Sequence, residues 1–181
     1  MTAEPLQRLL AAGRPAAPEA CPVLLRAVHE HDLPELLRLE KEVFSDLAYP
    51  AFLLRQLVEL YAEHFLVLDD GTGNLHGHVV AGTPALSQDA WILALCVARG
   101  HRGHGLGREL MAEILTRLRR TGIERVRLTL ESANRPAVEL YRSLGFSPEE
   151  PEAEVRRDYF GPGQDRLVMS LGLGPGVPPG R

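Results

Sequence analysis

Trp91–Leu110 reads WILALCVARGHRGHGLGREL, an apolar run followed by a basic, glycine-rich segment and the opening of an apolar-periodic helix. From Trp91 to Ala98 almost every residue is apolar, which predicts a strand buried on both faces. Arg99 and Gly100 end it. Gly103, Gly105 and Gly107 then leave the backbone free of Cβ atoms where a helix must begin, so several N–H groups can converge at the positive end of its dipole. A turn of that kind binds phosphate.

Spacing narrows which phosphate. A Walker A loop needs Gly-Lys-Ser/Thr, and the only lysine is Lys41. A dinucleotide fingerprint starting at Gly103 needs glycine or alanine where Arg108 stands. What fits is Arg-x-x-Gly-x-Gly, at Arg102, Gly105 and Gly107.

Working outward, Leu106, Leu110, Met111, Ile114, Leu115 and Leu118 form the stripe of the helix, and Arg125–Leu130 reads as the next strand. Strand, helix and strand of these lengths imply a right-handed parallel crossover. Asn134 and Pro136 open another helix, with Ala137, Leu140, Tyr141 and Leu144 inward and Gly145 ending it. Asp165–Leu171 is the last expected strand, and the charged segment before it, from Pro151 to Gly163, reads as a loop.

Upstream, a strand starts at Val23, and Asp32 caps a helix that carries Leu36, Leu39, Glu40 and Val43. A second helix over about residues 51–60 presents Phe52, Leu53, Gln56, Leu57 and Leu60 on one side. The stretches from His64 and from Leu75 make a hairpin over Gly71–Asn74. Residues 1–20, with a helical turn at Leu6, Leu9 and Leu10, read as a flexible N-terminal arm; residues 21–172 as one domain; and residues 173–181 as a disordered tail.

With 181 residues, 45% of them hydrophobic, the chain can bury one sizeable core. The net charge of −4 gives no nucleic-acid footprint. No signal peptide or membrane span is expected, and two cysteines, Cys21 and Cys96, suit a reduced cytoplasmic protein. His101 with His104, and His76 with His78, have ligand-like spacing, but no cysteine or carboxylate cluster accompanies either in sequence, so no metal is expected. An exposed strand edge at the C-terminal end would make a homodimer unsurprising.

LTLESANRPAVELYRSLGF, from Leu128, adds a second motif, Asn-x-x-Ala-x-x-Leu-Tyr-x-x-x-Gly-Phe. In that order and distance the two motifs resemble those of the GNAT superfamily of acyl-CoA-dependent N-acyltransferases, over roughly residues 23–171. The C-terminal DYFGPGQDRLVMSL, from Asp158, is similar to the close of ribosomal-protein alanine and other protein N-terminal acetyltransferases.

The resemblance implies an α/β fold whose central mixed sheet is splayed and flanked by helices. It implies acetyl-CoA as cosubstrate, and as acceptor a small-molecule amine or a peptide or protein N-terminus, acetylated by direct attack in a ternary complex. By the same resemblance Leu95, Cys96 and Val97 supply backbone groups to pantetheine, Arg102, Gly103, His104, Gly105, Leu106, Gly107 and Arg108 hold the diphosphate, and Asn134 reaches the pantetheine side. Tyr141 is the expected general acid and contacts the cofactor, its phenol having an ordinary pKa of about 10.

The general base is harder to assign. In the ribosomal-protein enzymes a glutamate on the strand before the motif takes that role; Thr129 aligns there, and Glu131 shares its strand face two residues on. Glu131 is a candidate base, acting directly or through water, and reads equally as a solvated residue at a strand end. Glu40, Glu42, His64, His76 and His78 are the other candidates, each reading singly as an ordinary surface group. Phe44, Tyr49 and Tyr159 are expected on the acceptor side. The alternative reading is a GNAT-fold module that senses acyl-CoA without turnover.

Overall fold

A computed structural model of the chain describes residues 8–10, 23–149 and 155–174. In chain order the elements are β1 (Arg8–Leu10), β2 (Val23–Ala27), α1 (Leu33–Phe44), α2 (Ala51–Tyr61), β3 (Phe65–Asp69), β4 (Leu75–Gly82) and β5 (Asp89–Val97). Then come α3 (Leu106–Arg120), β6 (Arg125–Leu130), α4 (Arg135–Ser143), β7 (Ser147–Pro148), β8 (Val155–Arg156) and β9 (Arg166–Gly172). Mixed strands flanked by helices are the expected class. Arg8–Leu10, read above within a helical turn, is instead a strand paired with β2.

Two compact units emerge: Met1–Val80 with Ala94–Ile114, and Ala81–Leu93 with Leu115–Arg181. In the first, β1, β2, β3 and β4 are successive antiparallel neighbours, and β4 adjoins β5. Helices α1 and α2 bury Leu36, Leu39, Leu54, Leu57 and Val58 against Phe65, Val67, Val80, Cys96 and Ala98. Helix α2 is turned partly away from the expected side: Leu53 and Leu57 of that face pack inward together with Leu54 and Val58, while Phe52 and Leu60 are exposed at 68% and 71%. This leucine-rich helix carries two apolar stripes at helical spacing, and only tertiary packing chooses between them.

Asp32 sits before α1 as expected but makes no side-chain cap bond there. Its carboxylate instead accepts two 2.7 Å bonds from the Arg26 guanidinium and one from His29 N–H at 2.7 Å. Arg26 also bonds Asp69, so one cation joins β2, the approach to α1 and the end of β3. Burial pushes the Asp32 carboxyl upward, but Arg26 and the His29 N–H outweigh it and hold it below the usual carboxylate range.

In the second unit the start of β5 pairs parallel with β6, from Asp89 opposite Arg125 to Ile92 opposite Leu128. Strand β6 pairs antiparallel with β9 as far as Leu130. Strands β7 and β8 both pair with β9. Two expectations change here. Residues Val155–Arg156, read as loop, form a short strand, and the C-terminal strand is no open edge because β6 lies on one side and β7 and β8 on the other. Among the described residues no helix is long and apolar enough to cross a membrane.

Candidate active-site residues

Parallel pairing of β5 with β6 ends at Ile92 and Leu128, although β5 runs on to Val97. Burial along β5 alternates. Ala90, Ile92, Cys96 and Ala98 are buried, whereas Trp91, Leu95 and Val97 are partly open and Leu93 is 37% exposed. The strand expected to be buried on both faces is buried on one. An apolar strand with one open face can offer that face to an extended ligand.

Beyond Val97 the chain makes a short 3-10 turn at Arg99–His101. Gly103 and Gly105 follow with φ of +80° and +83°, a backbone region that L side chains rarely adopt. Gly105 O accepts from Glu109 N at 3.1 Å, the first full turn of α3. Residues 102–105 are exposed at this helix end. A glycine turn that opens a helix is a backbone arrangement at which anions can bind.

Its side chains are partly committed elsewhere. Arg102 Nε donates to Val97 O at 3.0 Å, and Arg99 N–H donates to Glu42 at 3.1 Å. The Arg99 N–H and the Arg38 guanidinium hold the Glu42 carboxyl below its ordinary range, which unsuits it as a base near neutrality. The rings of His101 and His76 meet at a tilt of 30° with centroids 3.9 Å apart, and His76 lies 3.2 Å from Asp70. Burial, with His76 and His104 nearby, lowers the His101 pKa.

In the second unit, α4 begins at Asn134, whose side chain accepts from Ala137 N–H at 3.3 Å and so caps the helix. Tyr141 is 7% exposed and meets Phe146 edge to face at 5.7 Å. Burial raises its phenol well above the ordinary value, so it is protonated throughout the neutral range. Glu131 is 56% exposed, 3.6 Å from Arg166. Tyr159 packs against Phe160 at 5.0 Å and under Arg156. Phe44 and Tyr49 pack against the core of the first unit. Burial first, and Glu40 second, raise the Tyr49 pKa.

Sequence reasoning missed one constellation altogether. His78, read as a surface group, is fully buried, as are Glu40 at 1% and Cys96 at 3% exposure. His78 Nε2 lies 2.8 Å from Glu40 Oε1, and donor atoms of Glu40, His78 and Cys96 all lie within 4.8 Å of one another. Burial alone would push the His78 pKa down; Cys96 and Glu40 outweigh it and carry it up to about 10. The cysteine and the carboxylate judged absent from the neighbourhood of His78 are thus both present, brought in from β5 and α1. The one legible signal was Glu40 itself, a charge on the apolar stripe of α1.

These elements define an α/β protein in which strand β5 leads through a glycine turn into helix α3. The model of the Acetyltransferase (GNAT) family matches residues 26–146, and the chain belongs to that family. It is 29% identical over 92 residues to the ribosomal protein bS18-alanine N-acetyltransferase of Escherichia coli K12, covering 49% of this chain and 60% of that protein. It is 25% identical over 152 residues to an N-alpha-acetyltransferase of Sulfurisphaera tokodaii, covering 78% of this chain and 88% of that protein. The crystal structure of the Escherichia coli ribosomal-protein-S18-alanine N-acetyltransferase superposes with a TM-score of 0.70 at 21% identity, covering 83% of this chain and 93% of that one. The chain thus spans about 60% of the length of the curated bS18-alanine relatives it matches.

Proposed function

We propose that this protein is an acetyl-CoA-dependent N-acetyltransferase that moves the acetyl group to a primary amine by direct attack in a ternary complex. The observation that carries the reading is the glycine turn before α3, with two left-handed glycines at an exposed point where the helix begins. Family membership supports it. The backbone amides of 102–108 hold the diphosphate, and the backbone of Leu95, Cys96 and Val97 pairs with the pantetheine arm. An N–H of that strand polarises the thioester carbonyl, stabilising the negative charge that develops on its oxygen.

The amine nitrogen forms a bond to the carbonyl carbon as the carbon–sulfur bond breaks. Tyr141, protonated because it is buried, gives its proton to the departing thiolate. Glu131, exposed just beyond the end of β6, takes the proton leaving the amine, directly or through water. Asn134 Nδ2, unused by the capping bond, is free to meet the pantetheine side. Phe44 and Tyr49 offer apolar surface to the acceptor. The acceptor class favoured by the named relatives is a peptide or protein N-terminus, with small-molecule amines the other arm of the test.

Thiol release from acetyl-CoA, measured against a panel of N-terminal peptides and small amines, tests this directly. Tyr141→Phe should lower kcat about a hundredfold or more, the usual worth of a general acid, with acetyl-CoA affinity retained. A wild type that binds acetyl-CoA yet releases no thiol with any amine would overturn the proposal and establish the sensing module. Should Tyr141→Phe turn over normally, the assigned acid is wrong.

A further inference from the structure

The cluster Glu40, His78 and Cys96 has no part in the chemistry above. It lies within the first unit, each member nine-tenths buried or more, and it comes from three separate elements: α1, β4 and β5. Polar side chains are placed in a core at a cost, which is met when they satisfy one another. Here they do so incompletely. Glu40 Oε1 meets His78 Nε2 and Glu40 Oε2 accepts from Tyr49 N–H, but His78 Nδ1 is buried without a hydrogen-bond partner among the described residues.

We propose that Glu40, His78 and Cys96 form a binding site for one divalent transition-metal ion, with zinc the ion that their oxygen, nitrogen and sulfur donors fit. Thiolate, imidazole and carboxylate are the three ligand types that zinc takes, at about 2.3 Å for sulfur and about 2.0–2.2 Å for nitrogen and oxygen. Tetrahedral angles at those lengths set the donors about 3.2–3.7 Å apart. The donors already lie within 4.8 Å of one another and the His78 Nε2–Glu40 Oε1 pair at 2.8 Å, so side-chain adjustments of about an ångström, widening that pair and drawing the others in, would set the ligand distances.

Charge favours occupancy as well. A dication held by one thiolate, one carboxylate and a neutral imidazole is a neutral assembly, whereas the protein groups alone leave ionisable side chains in an apolar core. On binding, the thiol proton and any proton on the imidazole go to solvent, so the site takes metal more tightly as pH rises. Backbone placement is rigid. A Cβ at Gly77, the residue before His78, would stand 2.8 Å from Cys96 O, so β4 and β5 are pressed together where two of the ligands arise. Three protein ligands leave a fourth position for water or another donor.

The full chain, incubated with a zinc salt and desalted, is to be analysed for metal by mass spectrometry. About one zinc per chain is expected, falling about tenfold or more in Cys96→Ser and retained in Cys21→Ser. Cobalt loading of Cys21→Ser gives a second readout that does not depend on Cys96→Ser folding. A thiolate-to-cobalt charge-transfer band in the near ultraviolet supports the site, and a cobalt spectrum without it overturns the proposal. Zinc content in wild type no higher than in Cys96→Ser overturns it equally. Neither result depends on acetyl transfer.

Discussion

The turn over residues 102–107 and the cluster of Glu40, His78 and Cys96 share strand β5 and little else. The turn is exposed, is built from consecutive residues, and offers main-chain N–H groups. The cluster is buried and offers side chains from elements 38 and 18 residues apart, counting from Glu40 to His78 and from His78 to Cys96. Backbone sites depend on conformation, so their sequence signature is glycine at fixed spacing. Side-chain sites in a core depend on packing, so their signature is scattered over the chain. Perturbing each should therefore fail in a different currency, binding in one and folding in the other.

His78→Ala should show the largest effect. It opens a cavity and leaves the Glu40 carboxylate buried without its partner, a change of about 3–5 kcal/mol when one member of a buried pair is removed. Urea denaturation of the metal-free chain measures it. If stability falls by less than about 1 kcal/mol, the buried bond is not the tie between α1 and β4 that the structure depicts.

Gly105→Ala comes next and should break the turn without breaking the fold. The glycine has φ of +83° and open space where a Cβ would go, so conformation and not collision is what alanine offends. An L residue there costs about 1–2 kcal/mol. Since about 1.4 kcal/mol is a factor of ten, acetyl-CoA Kd should weaken about tenfold by calorimetry. A larger loss of stability than of affinity would mean that the turn is a structural joint and not a ligand site.

Those two outcomes explain what was legible in the sequence. The crossover from β5 through α3 to β6, the glycine turn and the Asn134 helix follow from local rules, and each is where spacing put it. What escaped was decided by tertiary packing. Helix α2 had two usable apolar stripes, and the one carrying Leu54, Leu57 and Val58 won. Strand β5 looked buried on both faces because the residues from Trp91 to Ala98 are apolar, yet Leu93 is 37% exposed. His78 looked like a surface histidine because nothing near it in sequence reveals that Glu40 and Cys96 close over it.

His104→Ala should have the smallest effect, and it sharpens the contrast most. His104 stands inside the glycine turn, between Gly103 and Gly105, with its side chain exposed. If the turn works through main-chain amides, its imidazole is dispensable, since alanine keeps the same backbone N–H. Stability should then stay within about 0.5 kcal/mol. Acetyl-CoA Kd should stay within about twofold, less than the tenfold that about 1.4 kcal/mol would give. His101 would titrate slightly higher, because His104 is one of the neighbours depressing it. A Kd weakened as far as in Gly105→Ala would show that the turn reads its ligand through a side chain after all. The division between a site made of backbone and a site made of side chains would then fail at the residue where it is easiest to test.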